Sequence, residues 1–318
     1  MKKTLLAFAI CCVLPTAAWC YDGPLQVRNQ FPLYIGMAPP FFESAQVRDT
    51  VSVQLSYSSM FLVEESPEWS VGMDLELTEL ELRLKKRIGD RTELGLEVPF
   101  LRTSKGFFDR PLVWLHDTLH TGDYNRHTRP VNEFLYDVRY LGQPVLLPRG
   151  GQSGIGDVRL TGKRVLHEGS TLVSLAADVE FPTGSVEDGF GNGSVDAGAA
   201  LLAEVDLGEK YHGYGNVGVV LPGDLQAYQT IGQHAYAWGG AGIEAAWWEH
   251  FHVIVQVVVQ GSPFPHTGIR KLDWPGVMLT MGGRYHFEKS SIEFSLTEDP
   301  DTAATPDFIA NIGYALKY

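Results

Sequence analysis

Hydrophobic and polar residues alternate with a period of two over most of the chain after residue 50. The last eleven residues place hydrophobic side chains at every second position: Phe308, Ala310, Ile312, Tyr314, Leu316 and Tyr318. Because successive side chains of a strand point to opposite faces, this spacing predicts a β-strand. A strand of about 11 residues is long enough to cross a bilayer when it is tilted.

The same periodicity predicts twelve strands in the chain. Their predicted ranges are 50–63, 73–88, 91–102, 157–166, 171–181, 195–207, 214–221, 235–247, 252–261, 276–287, 291–297 and 308–318. The connections after the even-numbered strands are short, and those after the odd-numbered strands are longer. This alternation is typical of bacterial outer-membrane barrels. The sequence therefore predicts an all-β fold, a transmembrane antiparallel up-and-down β-barrel of about 12 strands (roughly 10 to 14) with both termini in the periplasm.

One predicted strand changes the face that carries its hydrophobic residues. In strand two, Leu80, Leu82 and Leu84 share a face, whereas the hydrophobic residues before Thr78 and Glu79 fall on the other face. An extra residue in one strand shifts the alternation in this way. The pattern therefore predicts a β-bulge near Thr78 and Glu79.

The N-terminus has the organisation of a secretory signal peptide. A positive region at residues 2–3 precedes an apolar run at residues 4–14, and small residues follow before Tyr21. We therefore expect residues 1–20 to be removed on export. All three cysteines lie within them, so the mature chain is expected to have neither disulfides nor thiolate sites.

The charge of the chain limits its partners. Lys and Arg number 25 against 38 Asp and Glu, for a net charge of −13, and loss of the two signal-peptide lysines makes it −15. Such acidity argues against nucleic acid as a partner. We expect the outer membrane of a Gram-negative bacterium as the location. The expected partners are its lipids, the barrel-insertion machinery and a small solute.

The segment Arg28-Asn29-Gln30-Phe31-Pro32-Leu33, just after the signal peptide, carries a family resemblance. The other matching segments are Glu43-Ser44-Ala45, Gly95-Leu96-Glu97-Val98-Pro99-Phe100, Gly154-Ile155-Gly156-Asp157, Phe181-Pro182-Thr183-Gly184 and the closing strand after Pro306-Asp307-Phe308. Together they resemble a family of bacterial outer-membrane β-barrels catalogued as a domain of unknown function. The resemblance implies a barrel but no reaction, substrate or catalytic residue. Tyr314, Leu316 and Tyr318 also resemble the C-terminal signal that Gram-negative cells read for barrel insertion.

Charged residues on the predicted inner face are the candidate functional residues. They are Arg159, Lys163, Asp178, Glu180, Asp196, Glu204, Arg284 and Glu293. Charges that line a pore set ion selectivity or the path of a solute. The alternative is a packed lumen in which opposite charges pair, and a barrel of this size permits both. Since the signs are mixed, the sequence alone does not exclude either, but we favour a solute-permeable pore.

Two segments outside the strands are candidates for obstructing such a pore. Residues 21–49 contain four prolines and do not resemble a strand. We predict a periplasmic segment or plug, in which Arg28, Asn29 and Gln30 pair with carboxylates in the lumen. Residues 103–156 form the longest predicted extracellular loop, and it is unusually hydrophobic. It is expected to fold inward as a constriction, to contact lipid or partners, or to cap the barrel mouth.

The sequence offers little sign of catalysis. No H-x-S pair and no G-x-S-x-G elbow occurs, so we expect no enzyme and no catalytic residues. His116, His120 and His127 share the long loop, but their spacing completes no metal motif. We therefore expect no metal and no cofactor. A passive channel for small solutes is the preferred function, ahead of a non-conducting structural or surface-binding barrel and, third, an outer-membrane lipid hydrolase.

Overall fold

The computed structural model describes residues 21–106, 130, 132–300 and 303–318. The predicted signal peptide lies outside them, as do His116, His120, His127 and much of the predicted 103–156 loop. No helix among the described residues is long and apolar enough to span a membrane.

The described residues form seventeen strands and two short helical turns. In chain order the strands are β1 (Thr50–Glu65), β2 (Trp69–Ile88), β3 (Thr92–Ser104), β4 (Leu135–Tyr140), β5 (Gln143–Leu146), β6 (Ser153–Ile155), β7 (Val158–His167), β8 (Thr171–Phe181), β9 (Asp196–Asp206), β10 (Tyr211–Leu221), β11 (Leu225–Gln226), β12 (Thr230–Ile231), β13 (Tyr236–Ala246), β14 (Phe251–Gln260), β15 (Gly276–His286), β16 (Ser290–Glu298) and β17 (Phe308–Lys317). A 3₁₀ helix spans Pro32–Met37 and a one-turn α-helix spans Arg270–Asp273.

Twelve of these strands close into an antiparallel barrel. Each barrel strand pairs with the next one in the chain, and β1 pairs with β17 to complete the ring. The short strands β4, β5 and β6 extend the sheet beyond β2 and β3, while β11 and β12 form a separate hairpin. We call the end with the short connections the turn end and the opposite end the loop end.

The twelve predicted strands are confirmed, with ends that shift by a few residues. One predicted long connection is wrong. The segment between the first two strands is only residues 66–68, because β1 and β2 continue beyond the predicted ends and pair as far as Glu65 and Ser70. The region predicted as loop at 103–156 likewise contains β4, β5 and β6 among its described residues.

The predicted bulge at Thr78 and Glu79 is also wrong. The pairing of β2 with β1 and with β3 runs through these residues without a shift in register. Instead, the inner face of the strand changes its chemistry. It is charged towards the turn end, with Glu81 and Arg83, and apolar towards the loop end, with Met73 and other buried hydrophobic residues.

A hydrophobic belt covers the outside of the barrel. Along each strand, exposed hydrophobic side chains alternate with buried polar or small ones. Members of the belt include Leu55, Leu82, Leu94, Leu160, Leu175, Leu201, Val217, Ile243, Val257, Leu279, Phe294 and Ile312. Trp247, Trp248, Phe287 and Tyr318 are exposed at the turn end, where aromatic residues suit a membrane interface.

Candidate functional site: the occupied lumen

Residues 21–49, the N-terminal segment, lie inside the barrel. The segment rises from the turn end to the 3₁₀ helix and then returns, and most of its side chains are buried. Its rising part is held by backbone contacts: Gln256 on β14 bonds both the N–H and the C=O of Leu25, at 2.8 Å and 3.0 Å. Its returning part receives hydrogen bonds from Lys163 and Ser174 on carbonyl groups. Because the segment joins no strand ladder, side chains provide most of its polar anchors.

The three residues of the R-N-Q motif each contact the barrel. The Arg28 guanidinium donates to Glu79 at 2.6 Å and to Glu81 at 3.1 Å, with all three side chains buried. Gln30 donates to the other oxygen of Glu79 at 2.6 Å, and Asn29 donates to a backbone carbonyl near the start of β17. The motif therefore binds the wall of the lumen.

A second ionic anchor lies in the returning part of the segment. Glu43 accepts hydrogen bonds from Arg83 and Lys85 on β2. Burial opposes ionisation of Glu43, but the positive charges of Lys85 and Arg83 outweigh it and hold the pKa of this carboxyl well below its usual range. Arg48 then pairs with Asp22 at 2.8 Å, which joins the two ends of the segment.

The predicted lumen residues on β7 and β8 lie together inside the barrel. Arg159 lies 2.6 Å from Glu180 and 3.6 Å from Asp178, and it also donates to the carbonyl of Ala38 at 2.7 Å. Lys163 pairs with Glu93 at 3.0 Å. These charges are therefore paired with each other or with the N-terminal segment, rather than forming a ring of free charges.

The other four predicted lumen residues occupy three places. Arg284 pairs with Glu293 at 2.8 Å on the neighbouring strand. Glu204 lies on β9, where it accepts hydrogen bonds from the N-terminal segment and contacts a histidine of β10. Asp196 is apart from these, at the loop end of β9, where it binds the side chain of Asn192 at 2.9 Å.

The loop end of the lumen is closed by an apolar cluster centred on the 3₁₀ helix. Its members include Phe31, Leu33, Tyr34 and Met37 of the segment, and Met60, Leu62, Trp69, Met73, Tyr136, Leu225, Ile231, Phe264 and Leu272 of the barrel and its connections. Burial of this many large apolar side chains provides the main stabilisation for the part of the segment that lies at the loop end. The apolar half of β2 faces this cluster.

Two of the segments that carry the family resemblance, the G-x-G-D motif at residues 154–157 and the P-T-G motif at residues 182–184, meet beside the 3₁₀ helix. The Asp157 carboxylate accepts backbone hydrogen bonds from Gly184 at 2.7 Å and Asn192 at 3.3 Å, and burial raises the pKa of Asp157 to about 7. Gly36 packs so closely here that a Cβ on it would lie 2.5 Å from the backbone N of Asn192. The motifs therefore hold a loop against the segment.

Two connected clefts run from the turn end into the lumen alongside the segment. Both clefts are narrow and open to solvent, with cavity volumes of ≈ 70 Å³ for the outer and ≈ 30 Å³ for the inner. They share the lining residues Glu43, Arg83, Lys85, Glu93 and Lys163. The inner cleft reaches Trp238 and Asp178, below the apolar cluster. A polar path thus leads part of the way through the barrel.

Sequence reasoning missed several residues of this interior. Glu79, Glu81, Arg83 and Lys85 lie on the inner face of β2, and the alternation with Leu80, Leu82 and Leu84 was the signal that would have identified them. Glu244, His252 and His286 were missed because one acid or histidine in a strand has no distinctive spacing. Tyr314, Leu316 and Tyr318 are exposed on the outside, and their role in insertion stays a prediction.

Solved structures are similar to this chain to different degrees. An outer-membrane channel from Pseudomonas putida F1 superposes with a TM-score of 0.58, at 16% identity, over 88% of this chain and 99% of that chain. The NanC porin gives a TM-score of 0.49 at 7% identity, over 84% and 100%. The P. putida toluene transporter TodX gives 0.42 at 10%, over 91% and 93%. A search of curated proteins finds no match.

The closed ring, the hydrophobic belt and the likeness to the first of these structures establish an outer-membrane β-barrel. The expected fold and location are thereby confirmed. A family match extends over residues 2–318. The chain therefore belongs to the family described as "Protein of unknown function (DUF3187)".

Proposed function

We propose that the protein is a passive outer-membrane channel for small solutes, and that the N-terminal segment partly obstructs its lumen. The observation that carries this proposal is the pair of connected clefts between the segment and the charged wall. The P. putida F1 protein with the same fold is itself described as an outer-membrane channel. Passage of a solute needs no catalytic group, so the proposal treats the protein as a transporter rather than an enzyme.

The segment is a suitable obstruction because, apart from its peptide link to β1, it is held inside the ring by non-covalent contacts. The barrel closes through β1 and β17 without any residue of the segment. A shift of the segment therefore widens the path and leaves the ladder intact. The apolar cluster around Tyr34 and Phe264 lies beyond the inner cleft, and the proposal assigns it the role of the barrier.

The lining of the outer cleft favours negatively charged or zwitterionic solutes. Six basic side chains face four acidic ones there, although the whole chain carries a net charge of −13. The basic side chains are Arg48, Arg83, Lys85, Lys163, Arg284 and Lys317. Because a positive lining attracts anions, we expect a modest anion preference.

Single-channel recording in a planar bilayer tests the proposal. The mature chain is compared with a variant that lacks residues 26–40, which removes the 3₁₀ helix and the R-N-Q motif. We expect small or infrequent conductance steps from the intact chain, larger steps from the deletion variant, and a reversal potential in a salt gradient that indicates anion preference.

Two controls make the result decisive. Resistance to unfolding in gel electrophoresis shows whether each variant has a folded barrel. A variant in which residues 26–40 are replaced by a glycine–serine linker of the same length controls for the effect of shortening the chain. If folded protein is silent with and without residues 26–40, the channel proposal fails and a non-conducting barrel takes its place.

A further inference from the structure

Two histidines and a glutamate converge near the turn end of the lumen. Glu244 on β13, His252 on β14 and His286 on β15 are all buried, and their candidate ligand atoms lie within 4.8 Å of one another. Oε1 of Glu244 is 2.7 Å from Nδ1 of His252 and 3.9 Å from Nε2 of His286. The centroids of the two imidazole rings are 4.4 Å apart. We call these three residues the histidine cluster.

His286 has unused binding capacity in this cluster. The residue is only 8% exposed, and its Nε2 atom makes no hydrogen bond to any described residue. A buried polar atom without such a bond costs free energy, and its persistence in a fold needs an explanation. The Nε2 atom is directed towards Glu244 across a 3.9 Å gap, which is too long for a hydrogen bond.

The surrounding residues are arranged as an outer shell. Oδ2 of Asp22 lies 3.1 Å from Nδ1 of His286, the ring nitrogen on the side away from Glu244. A carboxylate in this position orients a metal-binding histidine and selects the tautomer whose other nitrogen is free to coordinate. The second oxygen of Glu244 accepts a hydrogen bond from Tyr214 and lies 3.6 Å from Arg284. Its first oxygen therefore remains on the side of the histidines.

We propose that Glu244, His252 and His286 bind a divalent transition-metal ion of the zinc type. Two imidazoles and a carboxylate form a donor set that such ions prefer. Metal–ligand bonds of about 2.0–2.1 Å in tetrahedral geometry separate neighbouring ligand atoms by roughly 3.3 Å, and the observed 2.7 Å and 3.9 Å lie on either side of this value. A water molecule completes the coordination.

Binding requires small adjustments and a particular tautomer of His252. Its Nδ1 atom, now hydrogen-bonded to Glu244, must turn its lone pair to the ion, so the neutral ring binds with its proton on Nε2. The positive charge of Arg284 opposes a cation nearby, whereas the carboxylates of Glu244, Asp22 and Glu293 favour it. Since Asp22 belongs to the N-terminal segment, the ion would strengthen the attachment of the segment to the wall. The site does not depend on whether the barrel conducts.

Metal titration of the refolded mature chain tests the site. The protein is stripped with a chelator and titrated with zinc chloride by calorimetry and with cobalt chloride by visible absorbance. We expect one ion per chain, and an intense cobalt spectrum of tetrahedral type. His252→Ala and His286→Ala should abolish this binding, and Asp22→Asn should weaken it about 10–100-fold with little change of spectrum.

His234→Ala is the matched control, because this histidine is exposed before the loop end of β13, whereas Glu244 lies near the opposite end of that strand. It should bind zinc as the unmodified chain does. If His286→Ala does not refold, His286→Gln keeps a polar side chain of similar size and replaces it in the test. Absence of bound zinc in the folded, unmodified chain overturns the proposal. Binding that survives both histidine substitutions also overturns it and identifies adventitious surface binding.

Discussion

The Nη2 atom of Arg28 lies 2.6 Å from Oε1 of Glu79, and this pair joins the N-terminal segment to the wall of the barrel. Both side chains are almost completely withdrawn from solvent, at 5% and 4% exposure. Glu81 lies 3.1 Å from the same guanidinium nitrogen. One arginine of the segment thus compensates two buried carboxylates, which gives this contact a large influence on whether the segment stays in place.

Replacement of Arg28 should therefore loosen the segment. Arg28→Met keeps much of the side-chain volume but leaves Glu79 and Glu81 without their shared cation, and a broken buried ion pair costs about 3–5 kcal/mol. Hydrogen exchange of the amides in residues 25–40 should become faster while the barrel strands stay protected. Arg91→Met is the control. Its partner Glu168 is half exposed, so we expect an effect below about 1 kcal/mol. Equal exchange in both variants would contradict this interpretation.

The close packing at Gly36 gives a steric prediction. In Gly36→Ala the new Cβ would lie 2.5 Å from the backbone N of Asn192 and 2.8 Å from Cα of Gly191, and backbone atoms cannot move aside cheaply. The 3₁₀ helix should separate from the loop, which lowers the thermal stability of the segment. Gly215→Ala is a matched change within β10 that meets no atom within 4 Å. If it lowers stability as much as Gly36→Ala does, the steric account is wrong.

Protonation of Glu43 at low pH should weaken the docking of the N-terminal segment inside the barrel. Its pKa is lowered in the docked state by Lys85 and Arg83, despite the opposing effect of burial, from an ordinary value of 4.5. A lowered pKa means that the carboxylate stabilises docking fully above that ordinary value, and that this contribution is lost as the pH falls below it. Protease cleavage within residues 22–48 should therefore be faster at pH 3 than at pH 7. Glu43→Gln should cleave readily at pH 7 and show a smaller change with pH. Identical pH dependence in the two proteins would reject Glu43 as the group responsible.

The hydrophobic belt can be tested by a charge at two depths. Leu201 lies at the middle of β9 and is 47% exposed on the outside of the barrel. Leu201→Arg should destabilise the barrel folded in lipid vesicles by about 2–4 kcal/mol, the cost of a charge near the bilayer midplane. Leu207→Arg, just beyond the turn end of the same strand, should cost only about 0–1 kcal/mol. Equal costs would mean that Leu201 is not at mid-membrane depth.

Local pattern was sufficient to predict the barrel itself. The alternation of residues such as Leu94, Leu96 and Val98 identifies a strand because successive side chains must point to opposite faces. The lengths of the connections then indicate which neighbours pair, since adjacent antiparallel strands need only short turns. For the same reason the inner face of β7 and β8, with Arg159 and Glu180, was recognisable. The wrongly predicted bulge in β2 shows the limit of this reasoning. The inner face of β2 changes from charged to apolar along the strand, and in the sequence this change resembles a shift of register.

The sequence by itself thus determined the strands, their order and which faces meet lipid or lumen, because these depend on neighbouring residues and a fixed period. Only the tertiary structure decided what fills the lumen. Arg28 and Glu79 are 51 residues apart, and Leu25 and Gln256 are 231 apart. Likewise, Glu244, His252 and His286 come together only because three strands are adjacent. Such contacts follow no local spacing, since they depend on how a segment without regular structure packs inside a closed ring.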